Sequence, residues 1–172
     1  TMSIQVDQIP TIAVAGSNQT LCASNPTFTM AGNIPGIGNG TWSVLSGTSN
    51  IASPSSGTTA VTSISPGLNI FQWAISNGTC AISTSTMSIQ VDQIPTTAVA
   101  GSNQTLCASN PTFTMLGNTP SVGTGSWSVV SGTASITTPT LETTGVTGIA
   151  TGINIFQWSI SNGTCAASTS TM

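Results

Sequence analysis

A ten-residue segment, TMSIQVDQIP, opens the chain at Thr1 and returns at Thr86, and its first two residues return again at Thr171, so the sequence repeats at equal intervals. Aligning 1–85 with 86–170 leaves 22 differences, so 63 of 85 positions are identical. Nineteen of the 22 fall at positions 31–68 of the first copy, so the ends of the unit hardly differ while its middle has diverged. Solenoid repeats run to about 20–45 residues and lean on their neighbours. A unit as long as 1–85 is large enough to close a core of its own, so the repeat predicts tandem domains, beads on a string.

The beads read as all-β. Apolar residues alternate with polar ones in short runs, the period of a half-buried strand. Phe28 and Met30 flank Thr29, Trp42 and Val44 flank Ser43, and Phe71, Trp73 and Ile75 form a longer series. Turn formers separate the runs: Gly32-Asn33, Asn39-Gly40, Pro66-Gly67 and Asn77-Gly78. Asn-Gly between two such runs is a strong hairpin signal, because both central residues of the turn need φ > 0. The expected strands are 12–16, 18–22, 26–31, 41–46, 58–64, 69–76 and 82–92, with a weak one near 50–53. Seven short strands separated by closely spaced turns predict an immunoglobulin-like β-sandwich with Greek-key connections.

The phase of the repeat carries the next step. The run TSTMSIQVDQ follows the Asn77-Gly78 hairpin, so it should be the last strand of the first sandwich rather than the first strand of the second. Residues 1–10 then form the final strand of a preceding or neighbouring repeat, 11–95 form sandwich repeat 1, and 96–172 form repeat 2 without its final strand. Two readings fit: a window on a longer array, or a chain whose leading strand, with Met2, Ile4 and Val6 as its apolar face, completes a neighbour by β-strand addition. Head-to-tail addition of that kind does not close on itself and grows a filament.

Composition removes most other functions. Lys, Arg, His and Tyr are absent, and the only carboxylate side chains are Asp7, Asp92 and Glu142. Proton transfer near neutral pH needs groups this chain lacks, so no catalytic residues are expected and the chain is not read as an enzyme. Without cations it has nothing to neutralise phosphates, which excludes nucleic acid. It also has no apolar run long enough to predict membrane insertion. Instead, 31 Thr and 26 Ser clothe the surface with small hydroxyls. Disorder is not expected, since disordered chains pair low hydrophobicity with high net charge.

Cys22 and Cys80 are separated by the same interval as Cys107 and Cys165. An even count at repeated spacing, with no His and no CxxC, predicts disulfides in an oxidising compartment and no metal site. Pairing within each repeat would close a loop worth about 4 kcal/mol in the chain-entropy model. It requires residues 18–22 to run back toward the hairpin. In an immunoglobulin-like sandwich the second strand's start and that hairpin lie at opposite poles, which favours a bond across the junction, Cys22 to Cys165. The intra-repeat pairing is the expectation and the cross-junction bond its alternative.

Trp42, Trp73, Trp127 and Trp158, with Phe28, Phe71, Phe113 and Phe156, are expected to anchor the cores rather than to stack on sugars. One Asp per repeat, Asp7 and Asp92, is too little for Ca²⁺, which wants six to eight oxygens, so no cofactor is expected. Asn18, Asn39, Asn77, Asn103 and Asn162 begin N-x-[ST] sequons, glycosylation acceptors wherever the machinery exists.

The string AGSNQTLCASNPTFTMAGN, followed by GTWSVLSG, TTAVTSI, NIFQWAISNGTC and STSTMSIQV, resembles the immunoglobulin/PKD-like tandem repeats of very large secreted surface proteins of Bacteroidota, gliding-type adhesins among them. The likeness covers nearly all of both units. It implies export, attachment at the cell surface and a stalk, adhesive or filament role, with no catalytic residues to carry over. The expected function is a structural repeat of an extracellular filament or cell-surface fibre, whose partners are copies of itself or adjacent repeats. The alternative is an adhesin that binds glycans or cells through loops in 31–68 and 116–153. With strands of six to eight residues at about 3.3 Å each, a bead should add about 35–45 Å of length.

Overall fold

The computed structural model describes residues 1–109 and 111–172. It divides into two compact units, Thr1–Asp92 and Gln93–Met172. The described residues form strands and loops and no helix.

The first unit holds seven strands: β1 (Gln19–Cys22), β2 (Phe28–Ala31), β3 (Asn39–Ser46), β4 (Asn50–Ile51), β5 (Thr58–Thr62), β6 (Gly67–Ser76) and β7 (Ser83–Asp92). One sheet has the order β1-β7-β6-β3 and the other β2-β5-β4. All pairings are antiparallel except β1 with β7, which is parallel. Alternation decides which side chains go inward. Phe71, Trp73 and Ile75 of β6 and Met87, Ile89 and Val91 of β7 are buried, meeting Met30 and Val61 from the other sheet in one core. The fold is therefore an immunoglobulin-like sandwich.

Trp42 and Trp73, cross-strand partners on β3 and β6, stack with ring centroids 5.2 Å apart and planes tilted by 39°. Each indole N–H is satisfied, Trp42 donating to the Gly57 carbonyl at 3.0 Å and Trp73 to Asn33 Oδ1 at 3.2 Å, as a buried polar edge requires. The Trp73 ring lies against Gly40, where any Cβ would overlap it. Asn39-Gly40 thus sits inside β3, where the glycine serves ring packing, and not in a hairpin turn.

The second unit repeats the plan with β8 (Phe113–Leu116), β9 (Thr124–Ser131), β10 (Ser135–Ile136), β11 (Thr143–Thr147), β12 (Ile155–Ser161) and β13 (Ser168–Thr171). Its sheets are β13-β12-β9 and β10-β11-β8. Trp127 and Trp158 stack at 5.1 Å, again tilted by 39°.

The segment 12–16, expected to be a strand, joins no ladder. Side chains take the place of the missing carbonyl partners. The Ala13 and Ala15 amides donate to Ser83 Oγ and Ser85 Oγ of β7 at 2.9 and 3.1 Å. Between them the Val14 amide donates to Asn33 Oδ1 at 2.8 Å. The second unit repeats this with Ala98, Ala100, Ser168 and Ser170. Alternation in the sequence reports burial of Ala13 and Ala15, and burial alone does not distinguish a hydrogen-bonded ladder from hydroxyl anchoring.

Candidate functional site

In the first unit β7 is the central rib of its sheet. Its far half is held on both sides: Gln19, Thr20, Leu21 and Cys22 of β1 align with Ile89, Gln90, Val91 and Asp92, and on the other side Gly67, Leu68 and Asn69 of β6 align with Val91, Gln90 and Ile89. Beside it Asn69 is wholly buried. Its Nδ2 donates to the Ser65 carbonyl at 2.8 Å and the Gly67 carbonyl at 3.1 Å, with Ile89 O at 3.5 Å, and its Oδ1 accepts from Ser65 Oγ at 2.8 Å.

The second unit has these two edges with a groove between them. Pairing of β12 with the chain end reaches only to Phe156, whose N–H and C=O exchange hydrogen bonds of 3.1 and 3.0 Å with Met172. Residues 104–107, the copy of β1, belong to no sheet, and Gly152, Ile153 and Asn154 have no ladder partner among the described residues. The groove has a volume of about 850 Å³ and is lined by Leu106, Phe113, Ile149, Asn154, Ile155 and Phe156, among others. Positions that β7 covers in the first unit are uncovered here: Ile64 is buried and its copy Ile149 half-exposed, and Asn69 is buried and its copy Asn154 half-exposed. Apolar floor and unpaired backbone on both rims are what an incoming strand needs.

Residues 1–9 have the sequence that fills this place in the first unit, and they are in no sheet. Met2, Ile4 and Val6 are 89%, 79% and 86% exposed, whereas Met87, Ile89 and Val91 are 2%, 0% and 1% exposed. The foot of the segment is tied to the β6–β7 hairpin. Asp7 accepts hydrogen bonds from the Thr79 amide at 2.8 Å, from Thr79 Oγ1 at 3.1 Å and from Gln5 Nε2 at 2.9 Å. Those bonds, the Thr79 amide first, hold the Asp7 carboxyl below its ordinary value. Asn77 Nδ2 donates to the Gln8 carbonyl at 2.8 Å, and Asn162 does the same to Gln93. This tether was not legible in the sequence, where Asn-Gly-Thr reads as a turn and a sequon.

The cysteines correct the expected pairing within repeats. Cys22 and Cys165 are each engaged in a disulfide, while Cys80 and Cys107, the partner expected for each within its repeat, carry free thiols. The reason is the parallel course of β1. It brings Cys22 beside Asp92, at the end of β7 remote from the hairpin that holds Cys80. Nine strand rises of about 3.3 Å put roughly 30 Å between them, and a disulfide tolerates about 7 Å between Cα atoms.

Of the anticipated core residues, Trp42, Phe71, Trp73, Trp127, Phe156 and Trp158 are buried, and Phe28 and Phe113 are half-buried at the core's edge. Among the sequons, Asn18, Asn39 and Asn103 are exposed. Asn77 and Asn162 have their amide nitrogens engaged in the hairpin bonds above, so these two serve as structural anchors.

No family model matches the chain, and no curated protein sequence matches it. Solved structures do. Immunoglobulin domains 1–4 of Sidekick-1 are similar over 99% of this chain and 49% of that one, with TM-score 0.60 and 13% identity. The N-terminal eight immunoglobulin domains of Down Syndrome Cell Adhesion Molecule match over 95% and 27%, with TM-score 0.57 and 12% identity. The titin I-band fragment I67–I69 matches over 96% and 64%, with TM-score 0.51 and 12% identity. The chain spans between about a quarter and two thirds of these structures. At such identities the likeness is one of fold: tandem immunoglobulin-like sandwiches.

Proposed function

We propose that this chain is a structural repeat of an extracellular or cell-surface fibre, in which each sandwich is completed by a strand of sequence TMSIQVDQIP. The observation that carries this is the double fate of one sequence. As residues 86–92 it runs into β7, the buried rib of a sheet, and as residues 1–6 it stands exposed, while a groove of matching type lies open in the second unit. Burying three side chains such as Met2, Ile4 and Val6 contributes about 1.5–3 kcal/mol each before ordering costs. Backbone pairing on two rims adds direction and register.

The uncharged surface fits this role. Neither a cationic patch nor a cluster of carboxylates is available for a soluble ligand, and the chemistry offered is apolar area and backbone hydrogen bonds. Export fits the disulfide chemistry, since such bonds persist in oxidising compartments. Absence of Lys and Arg denies tryptic proteases a cleavage site. Electron microscopy of the assembled protein tests the reading. Continuous filaments of regular beads, about 35–45 Å per sandwich, are expected. Isolated stalks ending in distinct heads would instead favour adhesion through the loops at 31–68 and 116–153.

A further inference from the structure

Two cysteines are bonded and two are free, and the free pair is one of each kind: Cys107 is the copy of Cys22 at the groove, and Cys80 is the copy of Cys165 in the hairpin. In the first unit the residue aligned with Cys22 across the β1–β7 pairing is Asp92, the copy of Asp7. A strand 1–9 seated in the second unit's groove with that register would set its Asp7 beside Cys107. Within its own chain, Asp7 is in contact with Cys80, whose Sγ lies 3.4 Å from the Asp7 carbonyl oxygen.

We propose that residues 1–9 of a second copy occupy the groove of the second unit, and that Cys107 then forms a disulfide with the second copy's Cys80, locking the junction covalently. This rests on the fibre reading above and names its partner and its seal. Neighbouring strands lie about 4.8 Å apart, which would put Cys107 one strand spacing from the second copy's Asp7, the residue that Cys80 already touches. Cys107 is exposed, and the Ser109 hydroxyl donates to its Sγ at 3.4 Å. That contact, with backbone bonds from Ser109, lowers the thiol's pKa and favours the nucleophilic thiolate. The oxidant is a small-molecule disulfide such as oxidised glutathione. The Cys107 thiolate attacks one of its sulfurs, forms a mixed disulfide and expels one glutathione thiolate. The second copy's Cys80 thiolate then attacks the Cys107 sulfur and expels the second. One S–S bond forms as one is consumed, and the two electrons leave on two molecules of reduced glutathione.

The test takes the full chain with Cys80 and Cys107 reduced, adds oxidised glutathione, and follows it by non-reducing electrophoresis, light scattering and mass spectrometry of chymotryptic peptides. A ladder of covalent oligomers that collapses with dithiothreitol is expected, with Cys80–Cys107 as the joining peptide pair. Cys80→Ser and Cys107→Ser should each lose at least tenfold of the ladder. Mixed with each other, they should stop at a covalent dimer. Both substitutions are at non-core sites, and circular dichroism checks that each variant folds. Strand-linked oligomers that persist in reductant but acquire only Cys80–Cys80 or Cys107–Cys107 bonds, or none, overturn the seal and leave the fibre reading standing. A species that stays monomeric with and without oxidant, whether its groove is empty, filled by its own residues 1–9, or closed by an internal Cys80–Cys107 bond, overturns both.

Discussion

Ile4 and Ile89 hold the same place in an identical ten-residue sequence, yet Ile4 is 79% exposed and Ile89 is wholly buried between β1 and β6. Their substitutions should therefore separate folding from assembly. Ile89→Ala should cost the first unit about 2–5 kcal/mol, the usual range for a core truncation. Ile4→Ala should change thermal stability of the dilute chain by less than about 0.5 kcal/mol while weakening oligomer formation. Calorimetry beside light scattering reads both, and an Ile4→Ala chain that assembles as well as the parent counts against the strand's role.

Asn69 and Asn154 are copies with different surroundings. Asn69 is sealed beside β7, so Asn69→Ala leaves the part-buried carbonyls of Ser65 and Gly67 without their donor and should cost about 1–3 kcal/mol. Asn154 lies at the open groove, where water can replace its side chain, and Asn154→Ala should cost less. Equal losses in urea unfolding of the two variants would mean that the groove is not open in solution.

The Gly40 site constrains ring packing through shape alone. Gly40→Ala drives a Cβ into the Trp73 ring, and Gly125→Ala does the same to Trp158. Each should destabilise its own unit by about 1–3 kcal/mol through overpacking, shifting one of two unfolding transitions followed by tryptophan fluorescence. Unchanged transitions would contradict the stacking arrangement.

How far the sequence alone leads can be judged from particular residues. Alternation around Trp42, around Trp73 and along TSTMSIQVDQ located β3, β6 and β7 and the sandwich class, because period-2 burial is a property of the strand itself. What escaped was set by partners distant in sequence. Residues 18–22 read as a second strand, but their parallel pairing with β7 depends on where Asp92 arrives, most of a repeat further along the chain, and that reversed the cysteine expectation. The hydroxyl anchoring of Ala13 and Ala15 and the Asp7–Thr79 tether are likewise long-range. Ser and Thr are so abundant here that no single one stands out.

Ser63 has φ of +52°, and its copy is Gly148, with φ of +61°. A left-handed conformation costs a residue with a Cβ about 1–2 kcal/mol, and glycine returns part of that in chain entropy. Ser63→Gly should thus raise the first unit's stability by up to about 1 kcal/mol. A lowered melting temperature would show that the Ser63 side chain makes a compensating contact.

The Asp7 tether has a defined pH dependence. Its folded pKa lies below the ordinary 3.8, so its contribution is fully present above 3.8 and is lost as pH falls through the lower folded value. The Thr79 amide resonance, followed by NMR, should stay constant from neutral pH down to the ordinary carboxylate range and move only below it. Asp7→Asn should abolish that movement. A midpoint at or above 3.8 would mean the carboxylate does not hold the hairpin.

Amide hydrogen exchange across the assembled protein, compared with the dilute chain, measures the shared strand most directly. Residues 2–6 should gain protection on assembly together with 104–107 and 152–155, the two rims they would bridge. Fast exchange of 2–6 in the assembled state, with both rims unprotected, would contradict completion of the sandwich by this strand.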